Sequence, residues 1–175
     1  MREYLVITAL GADRPGVVND LSETILETGC NIDDSRMMLL GGEFAIILML
    51  SGDGEAVEKL NNEKEKLEEK TGLKIISKLT QPRETTSNLL LYDVEITSMD
   101  EPGIVHHVTE FFSRQNINIQ SLTTDSYAAA HTGTPMFSMK LIIEIPASFS
   151  ISELKQNFSD LCDEYNFDGS MHAEK

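Results

Sequence analysis

Apolar positions along this chain follow two spacings, one of every second residue and one of every third or fourth, and the switches between them mark out elements. Residues 4–10 are an apolar, β-rich run closed by Gly11, which reads as a strand. Val17, Val18, Leu21 and Ile25 then share one face of a helix. Pro15 suits the first turn of that helix, where its missing N–H would have had no partner anyway. Gly29 stops the helix, and Asn31-Ile32 opens a second strand. Gly41-Gly42 makes a hairpin turn into the apolar run 44–50. A charged helix over 55–70 keeps a thin inner stripe of Val57, Leu60 and Leu67. Gly72 ends it, and residues 73–79 form a fourth strand.

The same order then returns. Residues 89–97 form a strand, and Ile104, Val105, Val108, Phe111 and Phe112 form a helix stripe. Phe137, Met139, Leu141, Ile143 and Ile145 alternate strictly and line one face of a strand. Ser150 with Glu153 makes a capping box, followed by Leu154, Phe158, Leu161, Cys162 and Tyr165 on one helix face. Between residues 125 and 135 the connection is longer than the Gly41-Gly42 turn, and loops of that kind often carry function.

Landmarks repeat as well as periodicity. Asp13-Arg14-Pro15-Gly16-Val17-Val18 recurs as Asp100-Glu101-Pro102-Gly103-Ile104-Val105, and Asn31-Ile32 as Asn118-Ile119. Both are steps of 87 residues (100 − 13 and 118 − 31). Register held across two landmarks implies a tandem duplication. The expected organisation is a first domain over 1–80, a polar linker over 81–88 and a second domain over 89–175. A βαββαβ order in each copy predicts an α+β protein of two tandem ferredoxin-like domains, each a four-stranded antiparallel sheet with helices on one face. That fold hosts unrelated activities, so function has to be sought in the residues.

Composition removes several classes. Hydrophobic residues at 41% and charged residues at 25% describe an ordinary soluble domain. No apolar run approaches the roughly 20 residues that span a bilayer. The N-terminus is too short and acidic for a signal peptide, so the cytoplasm is the expected location. A net charge of −15 repels phosphate backbones and anionic lipid, so neither direct nucleic-acid binding nor membrane binding is expected. The charge serves solubility or the attraction of a basic protein partner. Cys30 and Cys162 lack C-x-x-C spacing and are expected to be reduced and buried. That absence also excludes a metallochaperone loop, and the missing basic surface excludes an RNA-binding sheet. Arg14 and Asn31 resemble parts of an acylphosphatase site, but Glu101 replaces Arg14 in the second copy; no enzyme is expected. His106 and His107 are neighbours on a helix and point apart, and His131 and His172 are isolated. No metal or other cofactor is expected.

The repeated turn is the candidate site. Pro-Gly opens a helix whose first amides lack partners and whose dipole is positive, so a carboxylate can be held there. Gly16 and Gly103 leave room for a ligand or a neighbouring backbone. Asp13 and Asp100 can accept from an ammonium group, and the Asn31 and Asn118 amides can donate and accept. Together these groups suit a small zwitterion. The alternative is that Asp, Pro and Gly only shape the turn and Asn caps a strand end.

Through these turns and the Asn-Ile pairs, both halves resemble the ACT domain family of amino-acid-sensing regulatory modules, and the resemblance covers essentially the whole chain. Within that family, residues 4–16 and 29–36, with Glu43-Phe44 and Leu50-Ser51-Gly52, resemble the repressors of the glycine cleavage system. The resemblance implies a non-enzymatic, cytoplasmic transcriptional repressor. It would respond to a small amino acid such as glycine and act on a transcription activator protein rather than on DNA. The other reading is a trans-acting allosteric subunit of an amino-acid metabolic enzyme, and a third is a scaffold with vestigial pockets. ACT domains pair edge to edge and bind ligand at the seam, which here implies pairing between copies or a homodimer. Carried over residue by residue, the implied ligand site is Asp13, Arg14, Gly16, Asn31 and Ile32. In the second copy it is Asp100, Pro102, Gly103, Asn118 and Ile119, with Glu101 departing from Arg14.

Overall fold

A computed structural model describes residues 1–83 and 88–174 of the chain. Two compact units divide it, Met1–Glu84 and Thr85–Lys175. Within the linker expected over 81–88, residues 84–87 lie outside the described residues, as does residue 175 of the second domain.

The first unit runs β1 (Arg2–Ala12), α1 (Val17–Thr28), β2 (Asn31–Leu40), β3 (Glu43–Asp53), α2 (Gly54–Asn62), α3 (Lys64–Thr71) and β4 (Lys74–Thr80). Its sheet has the order β2-β3-β1-β4 with every pair antiparallel. The second runs β5 (Leu89–Met99), α4 (Ile104–Arg114), β6 (Asn118–Ala128), β7 (Pro135–Pro146), α5 (Ile151–Tyr165) and β8 (Asp168–Ala173). Its order is β6-β7-β5-β8, again antiparallel throughout. Both units are therefore the ferredoxin-like βαββαβ fold that the pattern predicts.

Each core forms where the two-residue strand period meets the helical stripe. In the first unit Leu5, Ile7 and Ala9 of β1 and Phe44, Ile46, Leu48 and Leu50 of β3 are buried with Val17, Leu21 and Ile25 of α1, and with Val57, Leu60 and Leu67. In the second, Val94, Ile96, Met139, Leu141, Ile143 and Ile145 meet Ile104, Val108, Phe112, Leu154 and Phe158. Cys30 and Cys162 are both buried and unpaired.

Four local readings need correction. The helix expected over 55–70 is two helices, α2 and α3, broken at Glu63. Between Leu60 and Leu67 the chain offers no apolar anchor, and Asn61-Asn62 are poor helix formers, so nothing holds one continuous axis. Val18 and Val105 are not core residues but are 40% and 39% exposed. Each lies about 100° around the helix from Val17 or Ile104, which take the buried position. Phe111 is only half-buried, at the border of the stripe. The long connection of 125–135 shrinks to residues 129–134, because β6 continues to Ala128 and pairs with Pro135. Gly133, at φ +68°, and an Ala129 N–H to Thr134 bond of 2.9 Å close that turn.

The edges matter most for function. Every residue of β2 is exposed, and in β6 only Ile119 is half-buried. Met37 and Leu39 sit opposite Ile46 and Phe44, so they point to the helix-covered side. Yet they are 52% and 54% exposed, because the helices do not reach over them. The apolar, exposed stretch Met37–Leu40 of that edge is a template for another strand.

At the opposite edge of the second unit the packing is tight. A Cβ on Gly169 would stand 2.5 Å from Cys162 Sγ and 3.0 Å from Phe158 Cζ. Gly169→Ala is expected to cost about 1–3 kcal/mol by overpacking, read from the urea midpoint. Cys162→Ala in the same chain should recover part of that loss, a coupling of about 0.5 kcal/mol or more.

Candidate functional site

The repeated turns are built alike in both units. The Asp13 N–H donates to Gly42 O at 3.3 Å and the Asp100 N–H to Pro135 O at 3.0 Å, tying each turn to the neighbouring hairpin. Gly16 at φ +88° and Gly103 at φ +99° then serve as N-caps in the left-handed region, which only glycine enters at little cost. Neither α1 nor α4 receives a side-chain cap. By contrast, α2 is capped by Asp53 and α5 by Ser150. The helix N-termini at the two repeated turns thus lack a side-chain cap, as does that of α3, and each carries the positive end of a helix dipole. Asp13, Pro102, Asp100 and Glu101 are all exposed there.

Arg14 makes several contacts within the fold. Its guanidinium pairs with Asp20 at 2.6 Å and reaches the carbonyls of Lys70 and Thr71 at 3.3 and 3.4 Å. It ties the start of α1 to the C-terminus of α3.

Asn31 and Ile32 stand elsewhere. Asn31 is at the sheet end formed by Arg2 and Asp53, whereas Ala12 and the turn belong to the end formed by Glu43 and Leu40. The twelve residues of α1 separate them, about 18 Å at about 1.5 Å per residue. The second unit is arranged identically: Asn118 and Ile119 begin β6, opposite Glu144 and Ile143, while Asp100 and Gly103 lie beyond the far end. In neither unit, then, does the fold itself bring turn and asparagine together.

The asparagines anchor a polar cluster that pattern reading missed. A β-bulge interrupts β2 between Ile32 and Asp34, and another interrupts β6 between Ile119 and Ser121, the same place in the repeat. The first bulge turns Asp33 toward its neighbours. Asn31 Nδ2 donates to Asp33 Oδ1 at 2.7 Å, Ser51 Oγ donates to it at 2.9 Å, and Arg2 lies at 3.4 Å. Arg2 also donates to the Ser51 hydroxyl at 2.7 Å. In the second unit Asn118 Nδ2 donates at 2.7 Å to Glu144, a buried carboxylate at the position that Ser51 takes in the first. Both asparagine NH₂ groups are therefore committed to a carboxylate, which leaves the amide oxygen as the acceptor each can offer.

The hydrogen bonds from Asn31 and Ser51, with the Arg2 charge, hold the Asp33 carboxyl below its ordinary 3.8. A lowered folded-state pKa stabilises above the ordinary value, and that contribution is lost as pH falls through the folded value. Asp33→Asn is expected to lower stability at pH 7, with the gap to the parent closing below pH 3.8. Urea unfolding at pH 7, 5 and 3 reads this.

Residues 3–77 match the family model of the ACT domain. The chain is 33% identical to the glycine cleavage system transcriptional repressor of Escherichia coli (strain K12) over 98% of its own length and 90% of that protein's. The repressor of Shigella flexneri matches to the same extent. A crystal structure provisionally assigned as such a repressor superposes with a TM-score of 0.77 at 26% identity, covering 100% of this chain and 99% of that one. An unknown protein from Galdieria sulphuraria superposes with a TM-score of 0.82 at 25% identity, with both chains covered fully. The duplicated turns, the Asn-Ile strand starts and this identity along nearly the whole length place the chain in the family of tandem ACT-domain proteins that includes the glycine cleavage system transcriptional repressors.

Proposed function

We propose that this protein is a non-enzymatic, cytoplasmic regulator that binds a small amino acid, glycine first among them, and represses transcription by binding an activator protein. The observation that carries the reading is the division of each site between the two ends of an uncovered edge strand. One end offers an uncapped helix N-terminus for a carboxylate, and the other an asparagine oxygen for an ammonium group. When β2 of one protomer pairs antiparallel with β2 of its partner, the start of each strand lies beside the end of the other. Asn31 of one protomer then comes toward the Asp13–Gly16 turn of its partner, and the zwitterion site is completed twice by one two-fold axis. Ligand binding and strand pairing are thereby coupled, because each stabilises the arrangement the other needs.

The regulatory role is supported by the relatives that match over nearly the whole chain, which are named as repressors. An acidic surface suits a protein that works on a DNA-binding partner without touching DNA.

Calorimetric titration with glycine and a panel of other amino acids tests the sensor. Saturable glycine binding is expected, weakened about tenfold or more, roughly 1.4 kcal/mol, by Asp13→Ala and by Asn31→Ala. No response to any amino acid would remove the sensing role. Sedimentation tests the pairing. Met37→Lys/Leu39→Lys, on positions already exposed, should shift dimer to monomer and abolish glycine binding together. A monomeric parent that binds glycine normally would refute the shared site. Affinity capture that returns a metabolic enzyme instead of a transcription activator would favour the allosteric-subunit reading.

A further inference from the structure

The helices of the two units are held in different ways. In the first, Lys70 Nζ bridges to Glu23 at 2.8 Å and to Thr24 Oγ1 at 3.3 Å. Lys59 reaches the Glu27 carbonyl at 3.2 Å, and Arg14 adds its tie to α3. The helical layer is cross-braced from end to end. In the second, no hydrogen bond or ion pair among the described residues joins α4 to α5. They meet through rings: His107 stacks on Tyr165 at 4.2 Å, and Phe111 and Phe112 approach Phe158 at 6.1 and 6.2 Å.

Above those rings α4 and α5 leave an open groove of about 470 Å³. Its floor is Phe111, Leu161 and Tyr165, all half-buried. Its walls carry Glu110, Asp160 and Glu164. Arg114 and His107 also line it, and Glu110 engages Arg114 at 2.7 Å. Asp160 receives only the neutral Gln156 amide at 3.0 Å, and Glu164 has no cation partner among the described residues. Asp160 and Glu164 are one helical turn apart and form an acidic rail along α5. The lining runs from 107 to 115 on α4 and from 157 to 165 on α5, about 12 Å of each axis at about 1.5 Å per residue. Two helical turns of a third helix fit that length.

We propose that this groove docks a basic amphipathic helix of a protein partner. Its apolar stripe lies on Phe111, Leu161 and Tyr165, and its Lys or Arg residues, spaced three or four apart, reach Glu110 and the Asp160–Glu164 rail. Apolar floor, acidic walls and length together define a helix-in-groove site. The inference rests on the proposed regulatory function, since it names the surface by which that function reaches a protein.

The probe is a fluorescein-labelled amphipathic helix of about 18 residues made of Lys and Leu, titrated into the full chain by anisotropy at about 0.15 M salt, where distant charges are screened. The expected result is saturable binding, weakened about fivefold to tenfold by Glu110→Gln/Asp160→Asn/Glu164→Gln. Leu161→Asp should weaken it at least as much. The charge-matched control Glu55→Gln/Glu58→Gln/Glu65→Gln, on the outer side of α2 and α3, should shift it by less than about twofold. Amide shift changes in the labelled chain should concentrate on α4 and α5. Equal loss in both triple variants, or shifts spread outside those helices, overturns the proposal. Glycine titration of the groove variants separates the two ideas, because a failed groove with intact glycine binding leaves the sensor standing.

Discussion

The register between the two central strands of each sheet governs the rest of this molecule. β1 meets β3 without a slip from Arg2 opposite Asp53 to Ala12 opposite Glu43, and β5 meets β7 in the same unbroken way. Because side chains alternate with a period of two, a one-residue shift would turn Phe44, Ile46, Leu48 and Leu50 out of the core. That pairing also fixes what lies at each end of the sheet. The helix that returns over it must start at one end, with the repeated turn, and finish at the other, where the asparagine begins the edge strand. The division of the candidate site into two distant halves is therefore a consequence of the topology.

The uncovered edge follows from the same layering. The helices packed over the central strands bury one face of β1 and β3 and Ile75 of β4, but leave Met37 and Leu39 bare on β2. Leaving apolar side chains on a long, regular edge invites association, and natural sheets usually protect such an edge with charge, proline or a covering loop. Here the one irregularity is the bulge at the strand start, and it serves to aim Asp33 at Ser51 and Arg2. The edge is kept open while its beginning is locked in place.

Periodicity and the 87-residue repeat made the fold legible in the sequence, because burial of alternate residues leaves a direct trace in residue type. The two landmarks of the site were legible for the same reason, as a fixed pattern occurring twice. Their separation was not, since spacing along the chain says nothing about which sheet end a residue occupies until the order of strands is known. The cluster around Asp33 was hidden more deeply. Arg2, Asn31 and Ser51 are far apart in sequence, and a bulge adds a residue without altering composition. Val18 and Val105 were misread because an apolar residue next to a buried one looks like part of its stripe. The partners of Arg14 within the fold, Asp20 and two backbone carbonyls of α3, were not legible either, because they lie far along the chain or depend on where α3 ends.

Arg14 and its counterpart Glu101 show how the duplicated halves have diverged. In the first unit that position braces α1 against α3, and lysines complete the bracing. In the second, Glu101 is exposed at the turn, and stacked rings take over the contact between helices. The two copies thus join their helices by different kinds of contact over the same sheet topology.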